Sequence, residues 1–233
     1  MLIAAVAGAG AARGFPRFGA GCAPADFRSG GTLVRAERCG PAHGPRAVVV
    51  LHGCGGFGTF DHTLAADLPR FGIATLDVDL FARTPPPGKR GFCGGPARGG
   101  DPFPLWEQTA AAAARSLEGH YRSVGAVGWS LGAGVAIATA EVSHSFKAVA
   151  AFSAIASPFA LDGAARLPPS IFLDGGRHDI VPPQNARALY AATTRAHVPS
   201  ALFIYQGGNH DWPGHQGAVG RQRAAAFLLR YLR

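Results

Sequence analysis

The chain has 233 residues, room for one generous domain or two cramped ones at roughly 150 residues per domain. Its 48% hydrophobic and 15% charged residues reverse the balance that keeps a chain disordered, and Gly 33 with Pro 18 but no Gly-X-Y period excludes a collagen-like fibre. The net charge of +8 does not point to nucleic acid, because Lys89 and Lys147 are the only lysines and the arginines are scattered from Arg13 to Arg233 rather than gathered on one face.

Residues 1–12 are small and apolar, and Ala11-Ala12 would suit a cleavage site. No basic residue precedes the apolar stretch, so it reads as an atypical or truncated signal inside a leader over residues 1–27, with one domain over 28–233. No apolar run reaches the 18 or more residues of a membrane-spanning helix. Cys22, Cys39, Cys54 and Cys93 form no CxxC pair and no zinc-like spacing, so no metal site is expected. Pairing Cys22 with Cys39 and Cys54 with Cys93 is one of three connectivities, and four free thiols also fit the sequence. Localisation leans to a periplasmic or secreted, oxidising compartment.

In chain order, residues 32–37 alternate as an edge strand does, and residues 40–44 supply the turn after it. The unbroken Ala-Val-Val-Val-Leu within residues 46–51 suits a strand buried on both faces. Shorter apolar runs at 73–78, 123–128, 148–152, 171–173 and 201–205 read as further strands. Between and after them, residues 60–71, 105–120, 131–142, 184–197 and 218–232 read as helices. Strands alternating with helices imply parallel pairing through crossovers. Residues 81–104, with Pro85-Pro86-Pro87 and several glycines, break the rhythm and read as a loop over a binding site.

The chemistry concentrates where predicted strands end. Gly128-Trp129-Ser130-Leu131-Gly132 matches G-x-S-x-G at a strand-to-helix junction, where a sharp turn lifts a serine hydroxyl clear of the backbone to act as nucleophile. Asp179 follows the strand at 171–173 and is placed to orient an imidazole; Asp174 is the rival acid, nearer the strand end where capping is the commoner role. His210 follows the strand at 201–205 as general base, with His178 a weaker rival on the acid loop. His52-Gly53-Cys54-Gly55-Gly56 follows the strand at 46–51. Its Cys54 amide, with that of Leu131, would form an oxyanion hole. A Cys54 thiol nucleophile paired with His52 would leave the elbow serine and the other two loops unexplained. Phe81, Phe92, Trp129 and Trp212 are candidates for an aromatic substrate pocket, and Arg83 for binding a substrate carboxylate.

From about residue 30 onward these elements resemble, in order and approximate spacing, the dienelactone hydrolase family of α/β-hydrolases. Leu80-Phe81 with Arg83, after the strand carrying Asp77, is similar but less specific. The resemblance implies an α/β-hydrolase fold with a mostly parallel central sheet flanked by helices, a Ser130, Asp179 and His210 triad, and no cofactor. One departure stands out: members proper carry cysteine at the elbow, whereas this chain has Ser130. A general carboxylic ester hydrolase is therefore implied, acting through an acyl-enzyme on a small-molecule ester, as a monomer or small homo-oligomer. Acyl transfer or perhydrolysis on the same triad, and a non-catalytic binding module on the same scaffold, are the competing readings.

Overall fold

The computed structural model describes residues 21–84, 86, 91–93 and 101–233. Residues 1–20 of the leader, and 85, 87–90 and 94–100 of the long loop, lie outside the described residues. Four short strands come first: β1 (Cys22–Pro24), β2 (Phe27–Ser29), β3 (Thr32–Val34) and β4 (Ala36–Cys39). The alternating part follows as β5 (Gly44–Leu51), α1 (Thr59–Asp67), β6 (Ala74–Val78), α2 (Phe103–Leu117), β7 (Tyr121–Trp129) and α3 (Leu131–Ser143). It continues through β8 (Val149–Phe152), α4 (Pro158–Asp162), β9 (Ser170–Asp174), α5 (Pro183–Arg195), β10 (Ser200–Ile204) and α6 (Gly214–Tyr231).

Among the described residues the main sheet runs β1-β4-β6-β5-β7-β8-β9-β10. Its six strands from β6 to β10 pair in parallel, and β4 and β1 close one edge antiparallel. The centre of the sheet follows from the apolar run in β5. Residues 47–51 are all fully buried; Val49 and Leu51 pack into a layer with α2 and α3, while Val48 and Val50 face the opposite layer with α1 and α6. Full burial of each Val or Leu is worth about 1.5–3 kcal/mol, and only a central strand covered on both faces collects it on every successive residue. This is the mostly parallel, helix-flanked sheet of an α/β-hydrolase. No helix of the described residues is long and apolar enough to cross a membrane.

Two differences from the sequence reading lie at the N-terminal end. The single strand expected over 32–37 is two: β3 pairs with β2 in a separate two-stranded sheet, and β4 enters the main sheet beside β6. The chain is pinned where it changes sheets, Ala36 N–H donating to Asp26 Oδ1 at 3.0 Å and Asp79 N–H to the Arg35 carbonyl at 3.0 Å. The sheet also reaches into the span read as leader, since β1 is its edge strand and Cys22 is disulfide-bonded to Cys39 opposite it. Cys54 is bonded to Cys93, so all four cysteines are paired.

Candidate active site

The C-terminal ends of β5, β7, β8, β9 and the segment after β10 come together along one rim, where an open α/β sheet places its ligands. At the end of β7 the chain reverses into α3 through Ser130, whose φ of 54° and ψ of −117° fall outside the regions that L-residues favour. Packing forces the glycines on either side. A Cβ on Gly128 would meet the Gly132 carbonyl oxygen at 2.2 Å, and one on Gly132 would meet the Leu51 oxygen at 2.0 Å. The Ser130 N–H donates to the Phe152 carbonyl at 2.8 Å, locking the turn to β8.

Asp179 and His210 meet as the sequence predicts. His210 Nδ1 lies 2.6 Å from Asp179 Oδ1, and because a carboxylate only accepts, Nδ1 carries a proton and donates it, leaving Nε2 as the other end of the ring. The two loops are joined by a bridge between His178 and Asn209, and the Gln216 amide clamps the Asn209 backbone at its N–H and carbonyl. Asp179 has further donors. Val181 N–H reaches Oδ1 at 2.9 Å, Gly175 N–H reaches Oδ2 at 3.0 Å, and the Ser153 hydroxyl donates to Oδ2. Burial alone would raise this carboxyl, but the hydrogen bonds from His210, Ser153 and Val181 outweigh it and hold Asp179 below the ordinary carboxylate value. Among the described residues no hydrogen bond joins Ser130 Oγ to the His210 ring; contacts of this kind tighten in the substrate complex.

Ser153 is the residue that sequence reasoning missed. It is fully buried with φ 50°, and its oxygen accepts the Trp212 indole N–H at 2.9 Å while its own proton goes to Asp179. The available signal was its position, immediately after β8 on the rim where Ser130, Asp179 and His210 also sit.

The rivals and the proposed aromatic wall fall elsewhere. Asp174 Oδ1 accepts the Gly176 N–H at 2.8 Å, the capping role expected of it, and burial raises its carboxyl to about 6. His178 is exposed and accepts from Arg177. Trp212 is buried behind Asp179 as the donor to Ser153. Trp129 supports His210 from beneath, its indole N–H donating to the His210 carbonyl at 2.9 Å with ring centroids 5.1 Å apart. Phe81 and Phe92 pack on each other and on Trp106. The Arg83 guanidinium is engaged by Gln108 Oε1 at 2.9 Å and Ser29 Oγ at 3.3 Å, on the side of the β2–β3 hairpin. None of these aromatic residues, nor Arg83, lines the cavity beside Ser130.

That cavity, of 110 Å³, is walled by Phe103, Gly134, Ala138, Ile155 and Ala160, with Ser130 and Leu131 at the elbow end. Across the elbow lies the loop after β5. The Gly53 backbone rests on the Trp129 ring, leaving a Cβ there only 2.8 Å of space. Leu80 N–H donates to His52 Nε2 at 3.2 Å, so the other ring nitrogen carries the proton, which His52 Nδ1 donates to the Gly53 carbonyl at 2.9 Å. Complete burial lowers this imidazole to about 4, keeping it neutral. With the Gly53 carbonyl also accepting from Gly56 N–H at 3.1 Å, the Gly53–Cys54 peptide plane is fixed, and its N–H points opposite to that carbonyl. Phe92 N–H holds the Cys54 carbonyl at 2.7 Å, and Gly91 packs so closely there that a Cβ would lie 2.2 Å from the Cys54 oxygen. Among the described residues neither the Cys54 nor the Leu131 N–H has an acceptor.

A sheet of this order, with a serine elbow after β7 and a carboxylate-held imidazole on the loops after β9 and β10, defines an α/β-hydrolase. Solved structures share the fold. An esterase from Pseudomonas putida superposes with TM-score 0.72 at 15% identity, covering 92% of this chain and 84% of its own. An esterase from Pyrococcus furiosus gives 0.71 at 16%, covering 91% and 93%. A dienelactone hydrolase from Anabaena variabilis gives 0.64 at 21%, covering 90% and 99%. No curated protein matches the sequence. The model of the dienelactone hydrolase family matches residues 35–228; the chain belongs to that family and is a hydrolase acting on ester bonds.

Proposed function

We propose that the protein hydrolyses carboxylic esters through an acyl-enzyme formed on Ser130. His210 Nε2 takes the hydroxyl proton as Ser130 Oγ attacks the ester carbonyl, and returns it to the departing alcohol. Asp179 holds the imidazole in the tautomer that exposes Nε2 and stabilises the charged ring. The Cys54 and Leu131 N–H groups receive the oxyanion. A water then repeats the sequence on the acyl-enzyme, with His210 again as base. The observation that carries the reading is the 2.6 Å contact between His210 Nδ1 and Asp179 Oδ1 on the rim that also bears the strained Ser130. Two disulfides suit an oxidising compartment.

Incubation with a fluorophosphonate probe tests the assignment. The wild type should gain one adduct, mapped to Ser130 by peptide mass spectrometry, and Ser130→Ala should gain none. Labelling that persists in Ser130→Ala, or maps to another residue, refutes it.

A further inference from the structure

The cavity beside Ser130 follows the surface of α3. Ser130, Gly134 and Ala138 stand at i, i+4 and i+8 and so lie along one stripe of the helix, with Phe103, Ile155 and Ala160 as the facing walls. Three observations point to a ligand there. Ser130 is 6% exposed, and among the described residues its hydroxyl makes no hydrogen bond although it borders the cavity. Gly134 has no structural reason to be glycine. A Cβ there would meet nothing closer than the Phe103 ring at 3.9 Å, an ordinary contact, and within a helix glycine is worse than alanine. This contrasts with Gly128 and Gly132, which packing compels. Finally, the lining is apolar and holds no ionisable side chain among the described residues. Its other hydroxyl, that of Ser157, already accepts the Ala160 N–H at 3.1 Å.

We propose that this groove along α3 is an acyl ruler, which selects esters whose acyl group is short and uncharged, with Gly134 and Ala138 as its floor and Ile155 at its open side. The inference rests on the reading of Ser130 as nucleophile. An apolar cavity of roughly 150 Å³ holds benzene, with six carbons; 110 Å³ therefore admits about four. A carboxylate-bearing acyl group would lose its hydration with no cation in the groove to replace it. Side chains on a helix lean toward its N-terminus, so bulk added at Ala138 encroaches on the space above Gly134, and bulk at Gly134 encroaches on Ser130.

The test is kcat/KM for p-nitrophenyl esters from acetate to octanoate. In the wild type it rises about fourfold per methylene as each is buried, up to butyrate, and falls beyond it. Gly134→Ala lowers the butyrate-to-acetate ratio about fourfold or more while raising Tm, a pairing that a merely structural glycine would not give. Ile155→Ala, a change at a half-exposed position (52% exposed), moves the optimum to hexanoate. A wild-type rate that climbs through octanoate overturns the ruler. So does a chain-length profile that neither variant shifts while Ser130→Ala abolishes turnover. Turnover surviving in Ser130→Ala is a separate outcome, which removes the nucleophile assignment itself and the ruler with it.

Discussion

Replacing Ser153 with alanine removes two buried interactions at once. The Asp179 carboxylate loses the hydroxyl donor on Oδ2 and keeps only Gly175 N–H there, and the Trp212 indole N–H, itself 2% exposed, loses its acceptor. A hydrogen bond to a charged group is worth about 1.5–3 kcal/mol, and an unpaired buried donor costs about 1–3 kcal/mol. The two share one oxygen and do not add fully, so a net loss of about 3 kcal/mol is expected. For a domain of this size that lowers Tm by about 6–12 °C near neutral pH. The carboxylate part depends on pH. Asp179 has a folded pKa below its unfolded value, so its contribution is full above the unfolded pKa, near 3.9, and is lost as pH falls through the folded one. The gap between wild type and Ser153→Ala should therefore narrow below about pH 4. If about half of the lost energy is felt at the imidazole, kcat falls about tenfold. Scanning calorimetry across pH, together with p-nitrophenyl acetate kinetics, measures both effects. A Tm drop under about 2 °C near neutral pH, or one that does not change with acidification, refutes the role assigned to Ser153.

Two further predictions concern the loop after β5 and the first turn of α1 that follows it. Cys93→Ser, or mild reduction of the wild type, frees Cys54 from the long loop between β6 and α2. Because a lost oxyanion donor costs about 10²–10³ in kcat and here the donor is loosened rather than removed, kcat should fall about tenfold with KM little changed. An unaltered kcat in fully reduced protein counts against Cys54 as a donor. Asp61 is fully buried, and burial, followed by the neighbouring Asp77, raises its carboxyl well above the ordinary value. A folded pKa above the unfolded one gives stability that is complete below the unfolded pKa and lost as pH rises toward the folded pKa. Asp61→Asn keeps an oxygen for the Gly58 N–H and does not titrate, so its stability relative to wild type should improve steadily from about pH 4 upward; urea melts giving a pH-independent difference would contradict this.

Much of the fold was legible because its signals are local. The run in β5 announced a central strand, and each of β6 to β10 ended where glycines or a polar loop interrupted the apolar residues. The three residues proposed as nucleophile, acid and base were readable for the same reason, since Ser130 directly follows β7 and Asp179 and His210 lie on the loops that follow β9 and β10. The early strands were not legible. Three or four residues are too few to show alternation, and the split at Arg35 depends on Asp26 and Asp79 reaching it from elsewhere in the chain. The residues expected to form an aromatic pocket do not line the cavity beside Ser130. Trp129 and Trp212 lie beside the motifs in sequence, but their rings support His210 and Ser153 from beneath, while beyond the elbow the cavity is walled by Phe103, Gly134, Ala138, Ile155 and Ala160, which carry no motif. Ser153 was hidden because a lone serine after a strand becomes informative only when Asp179 and Trp212 are seen on either side of its oxygen.

The central claim, that Ser130, His210 and Asp179 act as one unit, is tested most directly by the steady-state turnover of p-nitrophenyl acetate by Ser130→Ala beside His210→Ala and the double variant. Members of such a unit are far from additive, so each single change should lower kcat by about a millionfold and the double variant should fall little further. Ser130→Ala that keeps more than about a hundredth of wild-type kcat, or losses that multiply in the double variant, would contradict the account.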